Sequence, residues 1–317
     1  MPIDPEALSR LSAPVTVVIL TLNEARNLRA CLESVAGWCP EIFVVDSGST
    51  DGTQAIAERY GAHVAIHAFE SHARQWQWAL ATLPITNAWV LALDADQALT
   101  VPLQEEIARK TLGWQGDQSP SGAFINRRQI FRGRWIRHGG YYPKYLLKLF
   151  RRDRVTLDES DLVDHHFVVT GPTVLLDHDL VEDNRNEADI AVWIEKHNRY
   201  AVRQAREEQA RWVDGTASAP RGRVFGTPDE RTLFRKRLWN RLPLFVRPFG
   251  YFLYRYVIRL GFLDGKEGFI FHYMQAFWYR LLVDINRDEL QRAAATLDAR
   301  AGRDRQEPIE PLNPLNP

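Results

Sequence analysis

The sequence predicts an α/β fold, and three observations carry that prediction. Short β-branched apolar runs recur through the first hundred residues: VTVVILT at 15–21, EIFVVD at 41–46, HVAIHA at 63–68 and AWVLALD at 88–94. Segments of helical periodicity separate them. The runs are continuous rather than alternating, which marks strands covered on both faces. Together these describe a Rossmann-like, mostly parallel sheet with helices on both faces.

The elements follow in order. EARNLRACLESVAGW (24–38) has the spacing of an amphipathic helix after the first strand. In SGSTDGTQAIAERYG (47–61), Ser49, Thr50 or Asp51 can cap a second helix that Gly61 ends. SHARQWQWALATL (71–83) supplies a third helix before the fourth strand. After residue 120 the pattern changes. Residues 122–157 alternate aromatic, apolar and basic side chains, as short antiparallel strands and loops do. HHFVVTGPTVLLDHDL (165–180) reads as two more strands around a Gly-Pro turn, and 187–212 as a long amphipathic helix. Residues 1–212 therefore form one unit divided near 120, and the Gly/Pro/Ser-rich stretch 213–230 is a linker. A helical, aromatic and basic extension covers 231–300, and the proline-broken tail 301–317 is expected to be disordered.

Composition excludes several classes. The 317 residues carry 40 Lys+Arg against 40 Asp+Glu, a neutral balance that with no recognisable motif argues against a nucleic-acid surface. Charge is nonetheless uneven: between Arg221 and Leu260 ten basic residues face only Asp229 and Glu230. Two cysteines, Cys31 and Cys39, make neither a disulfide framework nor a zinc site, which fits a reducing cytoplasm. The first residues lack the basic region of a signal peptide, and no apolar stretch reaches the ~18 residues of a membrane span.

The strand ends are the informative places. Strand one ends in Thr21-Leu22-Asn23-Glu24, strand two in Asp46-Ser47-Gly48 and strand four in Asp94-Ala95-Asp96. Ligands of parallel α/β sheets sit at those carboxyl ends, so the acids should share one crevice. One acid there can simply cap a helix, but several together repel unless a cation or ligand donors offset them. Two carboxylates one residue apart can share Mg²⁺ or Mn²⁺, which prefer oxygen ligands and complete their shell with substrate phosphates. Such an ion neutralises a departing diphosphate. A haloacid-dehalogenase phosphatase also begins with D-x-D, but on its first strand and with Thr or Val where this chain has Ala98. Asp46 suits a different task, accepting the ring N–H of uracil, with Glu24 or Thr21 reaching base or ribose. An unpaired buried acceptor costs about 1–3 kcal/mol, so such a pairing selects its partner.

VVILTLNEARNLRACLESV, EIFVVDSGSTDGT and WVLALDADQALT, in this order, resemble the family 2 inverting glycosyltransferases with the A-type nucleotide-sugar fold. The nearer likeness is to the branch of lipooligosaccharide β-1,4-glucosyltransferases and lipopolysaccharide-core glycosyltransferases. YYPKYLLKLFRR and the region around 261–284 extend it weakly. The resemblance implies a nucleotide-sugar catalytic domain over 1–212, with donor residues before 120 and acceptor residues after. It places Thr21, Glu24 and Asp46 on the nucleoside, Asp94 near ribose and diphosphate, and Asp96 on Mg²⁺ or Mn²⁺. Where the family has Gln-Arg-Asn before Trp-Ala-Leu, this chain has Gln75-Trp76-Gln77, so the usual arginine is missing and Arg74 is the substitute on the diphosphate. Inverting transfer needs a base for the acceptor hydroxyl. Alignment on ESDLVDHHFVVTG brings Asp164 to that role, with His165 and then Asp161 as alternatives.

Two further segments bear on the acceptor. Arg132-Gly133-Arg134-Trp135 superficially matches the Gln-x-x-Arg-Trp motif of processive polysaccharide synthases, but it precedes the expected base, so an acceptor-side loop is the reading. The stretch 231–265 mixes aromatic residues with regularly placed Arg, the composition of a helix in a membrane interface. The expectation is a peripheral enzyme on the cytoplasmic face of the inner membrane, with a nucleotide diphosphate sugar as donor and a lipid-linked saccharide or lipid as acceptor. Two other readings stand beside it. A nucleotidyltransferase would carry a Gly-rich loop after strand one, and TLNEARNL has no glycine. A catalytically silent nucleotide-binding scaffold fits the altered 75–77 segment but not the intact Asp94/Asp96 pair.

Overall fold

A computed structural model describes residues 12–114, 116, 119–157, 167–213, 228, 231, 234, 239 and 242–304. The four apolar runs form β1 (Val15–Thr21), β2 (Glu41–Asp46), β3 (His63–Ile66) and β4 (Trp89–Asp94). They lie parallel in the order β3-β2-β1-β4. Between them run α1 (Ala25–Glu33), α2 (Thr53–Arg59) and α3 (His72–Thr82). The N-cap of α2 is Gly52 in a left-handed conformation, and none of the three expected capping side chains holds that position. Asp51 instead accepts from the Thr53 and Ala25 amides, bracing two helix starts at once.

The sheet continues through β5 (Gln97–Leu99), β6 (Gly122–Phe131), β7 (Arg134–Trp135), β8 (Tyr145–Arg151) and β11 (Thr173–Asp183), with α4 (Val101–Gly113) crossing beneath it. β8 is antiparallel to both β4 and β6, whereas β11 lies parallel to β6 and antiparallel to β5. The two strands expected around the Gly-Pro turn both form, but they separate: β10 (Phe167–Val169) pairs with β9 (Val155–Leu157) in a small second sheet.

Apolar residues on the two faces of the sheet make two cores. One gathers Val17, Ile19, Leu91 and Leu93 with Leu28 and Leu32 of α1 and Leu103 and Ile107 of α4. The other gathers Val18, Val45, Val90 and Ala92 with Trp76 of α3, Phe150 and Phe167. Each such fully buried Leu, Ile or Phe contributes about 1.5–3 kcal/mol. Trp76 is therefore a core residue, edge-on to Phe167.

The second half meets the sheet through an apolar cluster of Phe131, Ile136, Trp193 and Phe271, and polar contacts brace its helices. α5 (Ile190–Val213) packs along α8 (Tyr279–Asp304), where Arg247 bridges Glu208 and Asp284. α6 (Arg247–Leu253) and α7 (Gly265–His272) join them through π-helical turns and a short 3-10 segment. The basic-aromatic stretch is thus not one interfacial helix; Leu260 at φ 61° breaks it. The 136–142 loop is fastened here. Gly139 donates its N–H to Arg259 O at 2.8 Å, and His138 meets both Asp264 oxygens. A Cβ on Gly139 would lie 2.0 Å from His272, so only glycine lets the loop approach.

Candidate functional site

The carboxyl ends of β1, β2 and β4 come together as the register demands, Thr21 opposite Asp46 and Leu20 opposite Asp94. Their acids differ in environment. Asp46 is fully buried and its oxygens are occupied by the loop it starts. Oδ1 accepts from the Gly48 and Ser49 amides and from Gln54 Nε2, and Oδ2 from the Thr21 and Ser49 hydroxyls. Burial pushes this carboxyl up, but those donors outweigh it and hold it below the usual range. A base N–H at Asp46 must therefore replace one of them.

Glu24 opens α1 and accepts from Asn27 and Asn186, and burial raises its carboxyl. Asn184 and Arg185 complete this junction by bonding Asn27, so the segment after β11 covers the first strand's loop.

Asp94 and Asp96 meet a third acid that the sequence reading missed. Glu182, at the end of β11, offers an oxygen that lies with theirs inside 4.8 Å. Asp96 keeps some surface exposure, yet loss of hydration, with Glu182 and Asp94 adding, pushes its carboxyl well above the usual range. Two cations hydrogen-bond the cluster directly. Arg127 donates to both Glu182 oxygens at 2.8 and 3.0 Å, and Lys148 to Asp94 Oδ2 at 2.7 Å. Gln97 fixes the bend between Asp94 and Asp96, receiving the Asp94 N–H and donating to Glu182. All three acids are oxygen donors, a set suited to a hard divalent cation. The missed residues carried a signal: β11 ends in Glu-Asp just as β4 ends in Asp-Ala-Asp, and Lys148 interrupts an apolar strand.

Arg74 stands apart from the acids. It sits in the first turn of α3, 62% exposed in its side chain and paired with Glu70. Asp161, Asp164 and His165 lie outside the described residues. Beyond β6, Arg128 and Arg137 stack on Trp135 at 5.0 and 5.3 Å, with Tyr142 edge-on to the same ring. Arg128 and Tyr142 are held by Asp179.

A nucleotide-binding type of α/β sheet with an acidic cluster at its carboxyl edge defines the class. Residues 16–165 match the family model Glycosyl transferase family 2. The lipopolysaccharide core biosynthesis glycosyltransferase LpsC of Rhizobium meliloti is 30% identical over 174 residues, covering 50% of this chain and 58% of that protein. An uncharacterized glycosyltransferase of Rickettsia conorii is 39% identical over 97 residues, 31% of this chain and 34% of its own length. The chain thus spans from about a third to just over half the length of these relatives. Among solved structures, a mannosyltransferase of Pyrobaculum calidifontis in complex with GDP-Man and Mn²⁺ is similar at 15% identity and a TM-score of 0.47, over 87% of this chain and 88% of that one.

Proposed function

We propose that the chain is an inverting glycosyltransferase, moving a sugar from a nucleotide diphosphate sugar, a UDP-sugar by preference, to a lipid-linked saccharide or lipid in envelope glycan biosynthesis. The observation that carries this is the triad Asp94, Asp96 and Glu182, gathered at the carboxyl edge of a family 2 sheet. In this reading the triad holds Mg²⁺ or Mn²⁺, whose charge, when bound, stabilises the leaving diphosphate. Thr21, Glu24 and the Asp46 loop receive the nucleoside. The acceptor hydroxyl gives its proton to Asp164, with His165 or Asp161 as the alternatives, while the Trp135 face and its two arginines line the acceptor path. Asp164→Asn should lower kcat by ~10²–10⁴ with nucleotide affinity kept.

The direct test is incubation with a panel of nucleotide sugars and Mn²⁺, reading thermal stabilisation first and the anomer of the product second. Stabilisation by UDP with Mn²⁺ but not by ADP, and a product of inverted configuration, is the expected result. Absence of any nucleotide- and metal-linked stabilisation rejects the reading.

The acceptor's lipid character rests on the C-terminal surface. Val246, Phe249, Leu253, Ile258 and Leu263 are each at least half exposed, on a stretch of 21 residues that also exposes Arg259 and Lys266. Single exposed apolar residues need no explanation, but several large ones within one short segment suit an interaction surface. Among the described residues no helix is long and apolar enough to cross a membrane. In this reading the protein is peripheral on the cytoplasmic face of the inner membrane. Sedimentation with anionic vesicles, reduced by Ile258→Asp and by salt, is the expected behaviour. Indifference to vesicles at low salt rejects it.

A further inference from the structure

The register of the sheet singles out one side chain. Along β6 and β8 the pairing runs Ala123 with Leu149 and then Phe124 with Leu147, which leaves Lys148 as the extra residue of a β-bulge. A bulge re-aims a side chain out of the strand's alternation. Here it takes a lysine from the apolar run YLLKLF and delivers its Nζ to Asp94 Oδ2 at 2.7 Å. Lys148 is only 4% exposed, whereas the Asp94 side chain is 41% exposed. The stem is therefore sunk in the sheet and the head lies at the rim of the cleft. An ammonium has three N–H donors. Among the described residues, Asp94 Oδ2 is the one hydrogen-bond acceptor it meets.

We propose that Lys148 is the side-chain cation that receives the diphosphate of the nucleotide donor, in place of Arg74. The inference rests on the nucleotide-sugar reading above. A phosphate oxygen arriving beside Asp94 meets an ammonium that is already stripped of most of its water, held in position by the carboxylate, and left with donors to give. Charge-assisted bonds of this kind are about twice as strong as neutral ones. Arg127, the other cation of the cluster, is taken by both oxygens of Glu182. Arg74 is solvated and paired to Glu70 just before its helix, so recruiting it requires breaking that pair and ordering a long exposed side chain. Trp76, where the family's arginine would stand, is locked in the core.

The test is calorimetric titration of the full chain with UDP and with uridine at fixed Mn²⁺, for wild type, Lys148→Met, Lys148→Arg and Arg74→Ala. Lys148→Met should weaken UDP at least about tenfold while uridine changes less than about twofold, because uridine carries no phosphate. Lys148→Arg should recover part of the loss, and Arg74→Ala should leave UDP within about twofold. Should Lys148→Met not fold, Lys148→Gln, which keeps a donor for Asp94 without the charge, takes its place with the same readings. Equal weakening of UDP and uridine, unchanged UDP affinity, or a loss that follows Arg74→Ala overturns the proposal. Wild-type binding with an insensitive Lys148 variant overturns it alone. A wild type that binds no nucleoside diphosphate overturns it together with the proposed function.

Discussion

Asp46 closes β2 and Asp96 lies in the turn just past β4, and the fold treats the two acids in opposite ways. Asp46 receives hydrogen bonds from Thr21 at the end of β1, from Gly48 and Ser49 in its own loop and from Gln54 in the first turn of α2, and stays ionised although it is fully buried. Asp96 faces Glu182 and Asp94, and its ionised form is disfavoured. The first acid is architecture: its lone pairs are used to shape the loop on which a ligand could rest. The second belongs to a group of mutually repelling acids, whose repulsion a divalent cation would relieve in the function proposed above. Position at a strand end is shared, so it is the surrounding donors that separate the two roles.

The sharpest way to break this contrast is Asp96→Asn. Turnover should fall by at least about a thousandfold, roughly 4 kcal/mol of activation free energy. The melting temperature should hold or rise, because a like charge has been removed. Retained turnover, or a large loss of stability, would show that Asp96 is architecture as well.

Glu106, outside that cluster, provides an acid of the first kind. Its buried carboxylate accepts from the Asp177 and His178 amides, the His178 ring and Lys110. Burial pushes it up, but these donors prevail and bring it down to about 2 from 4.5. A carboxyl lowered in the folded state stabilises fully above the unfolded value and loses that contribution as protons bind. Between pH 4.5 and 2 the protein should therefore lose about 3 kcal/mol through this residue. Urea unfolding of wild type and Glu106→Gln across that range measures it, and identical pH slopes would count against the assignment.

The smallest expected effect comes from Asp46→Asn, which turns a lone-pair acceptor into an amide that confronts donors. Stability should drop by about 1–3 kcal/mol, read by chemical denaturation. A variant of wild-type stability that has lost only nucleotide affinity would move Asp46 into the second class.

Much of the parallel half was legible in the sequence because its signals are local. Val15–Thr21 and Trp89–Asp94 announce buried strands by their own composition, and Ser71 caps α3 by accepting from Arg74 N, as its place before a helical run suggests. The α2 cap was misread, since Asp51 is drawn to two helix starts and Gly52 takes the cap. In the half after residue 120, the separation of β10 from β11 follows from which neighbours each strand finds, and Gly-Pro between them does not record that.

The sequence by itself determined the strand–helix alternation, the two-sided burial of the sheet and the presence of acids at its carboxyl edge. Side-chain periods of two and 3.6 residues are written into adjacent positions, so they survive without knowledge of the rest of the chain. Only the tertiary structure decided that Glu182 joins Asp94 and Asp96, that Arg127 answers it, and that a bulge carries Lys148 to Asp94. Those facts depend on strand order and register, which are fixed by how distant segments pair and pack, and a one-residue shift in pairing would send each of these side chains to the other face.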